Sequence, residues 1–127
     1  MKPIPDEIRR FVLTSIPSVP YLEAALLLHG QPGQERSVAE VAARLYVSER
    51  SAAELLKALC AAGIVQCTET PEPRYRYAPT DTALQAAMDA LARVYAENLV
   101  GVTTLIHDAT QKSAQRFADA FRLRKDN

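Results

Sequence analysis

The sequence predicts a mostly α-helical fold with one small β hairpin, and three observations predict it. Between Ser37 and Val65 two short amphipathic stretches are separated by an abrupt break and followed by a glycine. Between Arg74 and Tyr77 charged and aromatic residues alternate strictly. Beyond Pro79 an apolar stripe at helical spacing runs for several turns.

Each element can be justified in order. Met1 to Pro5 is a proline-punctuated lead-in. Asp6 can cap a helix from Glu7 to about Ile16, with acidic residues at its positive end and Ile8, Phe11, Val12 and Ile16 on its buried side. Pro17 ends it. Ser18 then caps a second helix that tolerates Pro20 in its first turn. Tyr21, Leu22, Ala25, Leu26 and Leu28 make that helix apolar over most of its circumference, as expected of an element central in a core or at an interface. His29-Gly30 closes it, and residues 31–36, with Pro32 and Gly33, read as a loop.

Ser37 with Glu40 three residues later is a capping-box pattern. Val38, Val41, Ala42 and Leu45 share one face of the helix that follows. Tyr46-Val47 breaks the run, and Ser48 offers a second N-cap. Ala52, Leu55, Leu56 and Leu59 form the next stripe, and Gly63 supplies a stop with positive φ. Ile64 to Thr68 reads as a strand, residues 69–73 as a turn with two prolines, and Arg74 to Ala78 as a second strand. The alternation puts Arg74 and Arg76 on one face and Tyr75 and Tyr77 on the other. Two helices, a tight turn and a hairpin make a winged helix-turn-helix, whose second helix can enter a DNA major groove.

Pro79-Thr80 starts a long helix, with Thr80 as its cap and Asp81 in its first turn. Leu84, Met88, Leu91, Tyr95, Leu99, Val102 and Ile106 step by three or four, a stripe near a 3.5-residue period. Gly101 interrupts it at a cost of ~1 kcal/mol against Ala, or permits a close approach. The stripe fits two arrangements, packing wholly on its own domain or pairing half of itself with a second subunit. A single helix of about 27 residues would extend ~40 Å, longer than a small domain is wide, which favours a twofold dimer with these residues as its dimerisation face. Lys112-Ser113 restarts a short helix with Phe117 and Phe121 on one side, and Arg122 to Asn127 reads as a frayed polar tail.

The stretch VAARLYVSERSAAELLKALCAAGIV resembles the helix-turn-helix of bacterial winged-helix transcriptional regulators of the multiple-antibiotic-resistance regulator type. The hairpin and long helix fit the same layout from about Ser37 to past residue 100. That family usually carries a small residue, often Gly, where this chain has Tyr46. The resemblance implies a homodimeric, cytoplasmic, DNA-binding regulator of transcription. Arg50, Ser51 and Lys57 would then enter the major groove, Ser48 and Arg44 would touch the backbone, and Arg74 and Arg76 would serve the wing.

Composition sets limits on this. A chain of 127 residues with 48% hydrophobic residues can form one folded domain. That domain would run from 1 to 127, with N-terminal helices over 6–30, the helix-turn-helix and wing over 37–79, and a C-terminal helical dimerisation segment over 80–123. No apolar run reaches the ~18–20 residues of a membrane span, and no secretory leader is visible, so a cytoplasmic protein without a membrane partner is expected. Fifteen basic and fifteen acidic residues cancel, so any surface that attracts double-stranded DNA must be local. Within the helix-turn-helix and wing, Arg50, Lys57, Arg74 and Arg76 stand against Glu49, Glu54, Glu69 and Glu72. Arg50, Glu54 and Lys57, at i, i+4 and i+7, also fit a solvated ion-paired face. The alternative is therefore a non-enzymatic protein-interaction module on a winged-helix scaffold that does not bind DNA. The C-terminal segment, with Lys112, Arg116, Arg122, Arg124 and Lys125 against Asp108, Asp119 and Asp126, fits a solvated face better than a binding site. Cys60 and Cys67 fit a redox pair or, as is commoner for free cysteine, small apolar residues. His29 and His107 have no partners at metal-ligand spacing, and no nucleophile–base pair, phosphate loop or paired carboxylates stand out. No cofactor and no enzyme activity are expected.

Overall fold

The computed structural model describes residues 2–125. The described residues form six helices and three short strands. In chain order these are α1 (Asp6–Ser15), α2 (Val19–His29), β1 (Arg36–Ser37), α3 (Val38–Leu45), α4 (Glu49–Ala61), β2 (Val65–Cys67), β3 (Arg74–Tyr77), α5 (Thr82–Glu97) and α6 (Leu99–Lys125). They gather into two compact units. One is Pro20–Arg93, and the other is drawn from the residues before Pro20 and after Arg93.

The Pro20–Arg93 unit holds the winged helix. Tyr21, Leu22, Ala24, Ala25 and Leu28 of α2 are buried on several sides of the helix, as its composition requires. Val41, Leu56, Leu59, Ile64, Met88 and Leu91 are fully buried in the same unit. Removing a side chain of this size from water contributes ~1.5–3 kcal/mol. The capping box of α3 is made. The Ser37 hydroxyl accepts the Glu40 N–H at 3.1 Å, and a Glu40 carboxylate oxygen faces the Ser37 N–H at 3.5 Å. The helix ends where the N–H groups of Tyr46 and Val47 both donate to the Ala42 carbonyl. Ser48 opens α4 by accepting the Ser51 N–H at 3.0 Å. Gly63 has φ +78°, and a Cβ there would stand 2.7 Å from the Thr80 hydroxyl, so conformation and space both demand glycine.

The sheet is larger than a hairpin. Its order is β1-β3-β2, all antiparallel, with Arg36 opposite Tyr75 and Cys67 opposite the same tyrosine from the other side. Arg36, expected in a loop, is therefore in a strand; two residues are too few to show a period. Tyr75 is buried and Arg74 and Arg76 are exposed, as the alternation predicts. The cap of α5 is Asp81, whose carboxylate accepts the Leu84 N–H at 2.7 Å, and not Thr80, whose N–H donates to the Gly63 carbonyl.

The second unit corrects the long helix. In α1 the first residue is Asp6 itself, with Pro5 in the cap position and no side-chain cap. The helix expected to run unbroken through Ile106 stops at Glu97, and α6 restarts at Leu99. Asn98 makes the break: its Oδ1 accepts the Gly101 N–H at 2.9 Å, and its Nδ2 donates to the Lys2 carbonyl at 2.9 Å. No break occurs at Lys112-Ser113, and the polar tail expected from Arg122 is helical to Lys125. Asp126 and Asn127 lie outside the described residues. No single helix among the described residues is long and apolar enough to cross a membrane.

Candidate nucleic-acid interface

The aim of α4 is set from its inner side. Ala52, Leu56 and Leu59 are completely buried and Leu55 is half-buried, which fixes the rotation of the helix. Arg50, Ser51, Glu54 and Lys57 are all exposed on the rest of it. Arg50 Nε lies 3.8 Å from Glu54 Oε1, with side chains 91% and 73% exposed. A pair so open to water is worth ~0–1 kcal/mol, which a phosphate can replace. Lys57 and Arg44 make no ion pair among the described residues. Ser48 donates its hydroxyl hydrogen to Ser51 Oγ at 3.0 Å while capping the helix. Ser48 is thereby committed to the turn, whereas the Ser51 hydroxyl keeps its own hydrogen for an outside acceptor.

The wing arginines behave differently from Arg50 of α4. Arg76 donates to the Gln66 side-chain carbonyl at 2.8 Å. Arg74 is folded back: it donates to Glu40 Oε1 at 3.3 Å and to the Glu35 carbonyl at 3.2 Å, and its Nε lies 3.7 Å from the Glu35 carboxylate. Arg36 reaches the other oxygen of Glu40 at 3.2 Å and the Gln31 side chain at 3.0 Å. Glu40 thus sits between two guanidiniums. The Arg36 hydrogen bond, the largest effect, holds its carboxyl below the usual carboxylate range; desolvation, next in size, opposes it, and Ser37 and the charge of Arg74 add to the lowering. Sequence reading missed Arg36. The signal that could have found it is Glu40, four residues on.

Beside this network an open groove of about 460 Å³ is lined by Arg36, Glu40, Ala43, Arg44 and Tyr46. Tyr46 is 94% exposed.

The stripe assigned to dimerisation is not a free face. Met88, Leu91, Val102 and Ile106 are fully buried within the chain, and Leu84 and Tyr95 are half-buried. Of the seven, only Leu99 is exposed, at 53%. Among the described side chains of α6, the exposed large apolar ones are Leu99, Val100, Phe117 and Phe121.

Cys60 is half-buried on α4 and Cys67 is exposed on β2. Burial first, then the neighbouring Cys67, pushes the Cys60 thiol up to about 11, away from the thiolate that redox chemistry needs. His29 is paired with Asp89 at 2.8 Å and stands edge-on to Tyr77 with ring centroids 5.1 Å apart, a contact that joins α2, β3 and α5. Among the described residues no three His, Cys, Asp or Glu side chains gather as a metal site.

A buried-backed helix after a capped turn, with a three-stranded sheet and wing behind it, defines a winged helix-turn-helix protein. Solved structures carry the same fold. The chain is similar to reduced HlyU from Vibrio cholerae at 23% identity, over 70% of this chain and 90% of that one, with a TM-score of 0.52. It is similar to the heme sensor protein PefR from Streptococcus agalactiae, solved in complex with heme, at 15% identity, over 91% and 82%, with a TM-score of 0.53. At these identities the likeness establishes the fold alone. No protein-family model and no curated protein matches the sequence.

Proposed function

We propose that the chain is a bacterial, cytoplasmic, DNA-binding transcriptional regulator that acts as a homodimer. One observation carries the reading: α4 has one fully buried side and an exposed side bearing Arg50, Ser51 and Lys57. A helix so fixed can enter a major groove in one orientation. In this reading Arg50 and Lys57 meet base edges or phosphates, while Ser51 and Arg44 hold the backbone. Arg76 serves the wing. Arg74 joins it only after leaving Glu35 and Glu40. The winged-helix regulators of similar fold support the assignment. A second copy would cover Leu99, Val100 and Phe117, large apolar side chains that α6 leaves exposed, in a twofold pairing along that helix. Light scattering should give twice the 14.0 kDa chain mass, and replacing Leu99 and Phe117 together by Glu should halve it. A wild-type monomer at all concentrations contradicts the dimer.

The DNA reading is tested by anisotropy of a labelled generic duplex at low salt. Micromolar or tighter binding that weakens steeply with salt is expected of a DNA binder. The second reading, a protein-interaction module, is favoured by the zero net charge and by the hold of Glu40 on two arginines. It predicts no duplex binding at any salt concentration.

A further inference from the structure

We infer that Tyr46 is a contact residue for the DNA sugar–phosphate backbone, an inference that rests on the DNA-binding reading above. Among the described residues it is the one non-glycine with positive φ, at φ 57° and ψ 43°. Glycine takes that conformation freely, and an aromatic residue takes it against steric resistance. Strain of this kind persists when packing compensates for it or when a function requires the side chain. Packing does not compensate here. The ring is 94% exposed, and it makes no ring contact, ion pair or hydrogen bond among the described residues. The fold would close the same turn better with glycine. The tyrosine is therefore explained by what lies outside the chain.

Its surroundings specify the ligand chemistry. Tyr46 ends α3 two residues before Ser48, the cap of α4, so it stands at the entrance to the proposed reading helix. It lines the open groove together with Arg44, which has no ion-pair partner among the described residues, and with Arg36. Glu40, which also lines that groove, pairs with Arg36 and with Arg74, so the cation of the lining left for a free anion is Arg44. A strand passing across the groove meets a flat apolar ring, a phenolic O–H donor and a guanidinium. A deoxyribose packs on the first, and a phosphate takes the second and third. Such a contact holds the register of α4 on the duplex and reads no sequence.

The test compares wild type with Tyr46→Gly and Tyr46→Asn, two residues that accept left-handed backbone. Wild type should bind duplex DNA. Both variants should keep or raise the thermal midpoint, yet bind roughly tenfold more weakly on every duplex, the size of one lost hydrogen bond with its packing. Their salt slope should stay at the wild-type value, because tyrosine neutralises no phosphate, whereas Arg44→Ala should lower it by about 1. Wild-type affinity retained in both variants overturns this inference and leaves the DNA reading standing. A marked fall in thermal midpoint in both overturns it too, by showing that the side chain serves the fold. Absence of wild-type binding at low salt ends the DNA reading and this inference together.

Discussion

Glu40 does two jobs with one carboxylate. It completes the capping box of α3 with Ser37, and it holds Arg36 and Arg74 at 3.2 and 3.3 Å. Its carboxyl is held low chiefly by Arg36. A carboxylate with a depressed pKa stabilises the folded chain above the ordinary value of about 4.3, and that contribution is lost as pH falls through the lowered value. Glu40→Gln separates the two jobs, because glutamine still serves a capping box but cannot hold two guanidiniums by charge. The variant should show a flatter loss of stability in acid, followed by urea titration at several pH values. Freed of their counter-charge, Arg36 and Arg74 should also tighten generic duplex binding and steepen its salt dependence. An acid limb identical to wild type would remove Glu40 from this role.

The elements show which local signals a sequence makes legible. The helix-turn-helix was readable because each boundary has its own chemistry: the Ser37–Glu40 box, the Ser48 cap, and Gly63 held at positive φ against Thr80. The break between α5 and α6 also has a cap, Asn98, but a stripe of apolar residues continuing past it suggested one rod. Asn98 and Gly101 form a pair. A Cβ on Gly101 would stand 2.4 Å from the Asn98 amide nitrogen, whose group is held by hydrogen bonds on both sides. Alanine is favoured over glycine in a helix by about 1 kcal/mol on propensity alone. Gly101→Ala should nevertheless destabilise the protein, because the Asn98 cap, worth ~1 kcal/mol, and its bond to Lys2 must give way. Denaturant unfolding followed by circular dichroism reads the sign directly. A more stable Gly101→Ala variant would mean that the cap contributes nothing. The strand β1 was not legible at all, since two residues define no alternation.

On the scale of the whole molecule, the net charge of zero is resolved into unequal parts. Arg36, Arg74 and Arg76 are engaged by neighbouring side chains, whereas Arg44 and Lys57 are unpaired among the described residues and Arg50 is held only at 3.8 Å. Sequence spacing could place Arg50, Ser51 and Lys57 on an outer helical face. It could not show that Arg74 turns back to Glu35 and Glu40, because those partners lie more than thirty residues away along the chain. Nor could it show that Met88, Leu91, Val102 and Ile106 would be buried within one chain. What decides the account is whether the face of α4 meets nucleic acid. The most direct measurement is duplex anisotropy against salt for wild type and for the Arg50→Ala, Lys57→Ala double variant. The account predicts salt-sensitive wild-type binding, with the double variant weaker and its log–log slope shallower by about 2. No duplex binding at low salt, or a double variant with unchanged affinity and slope, would contradict it.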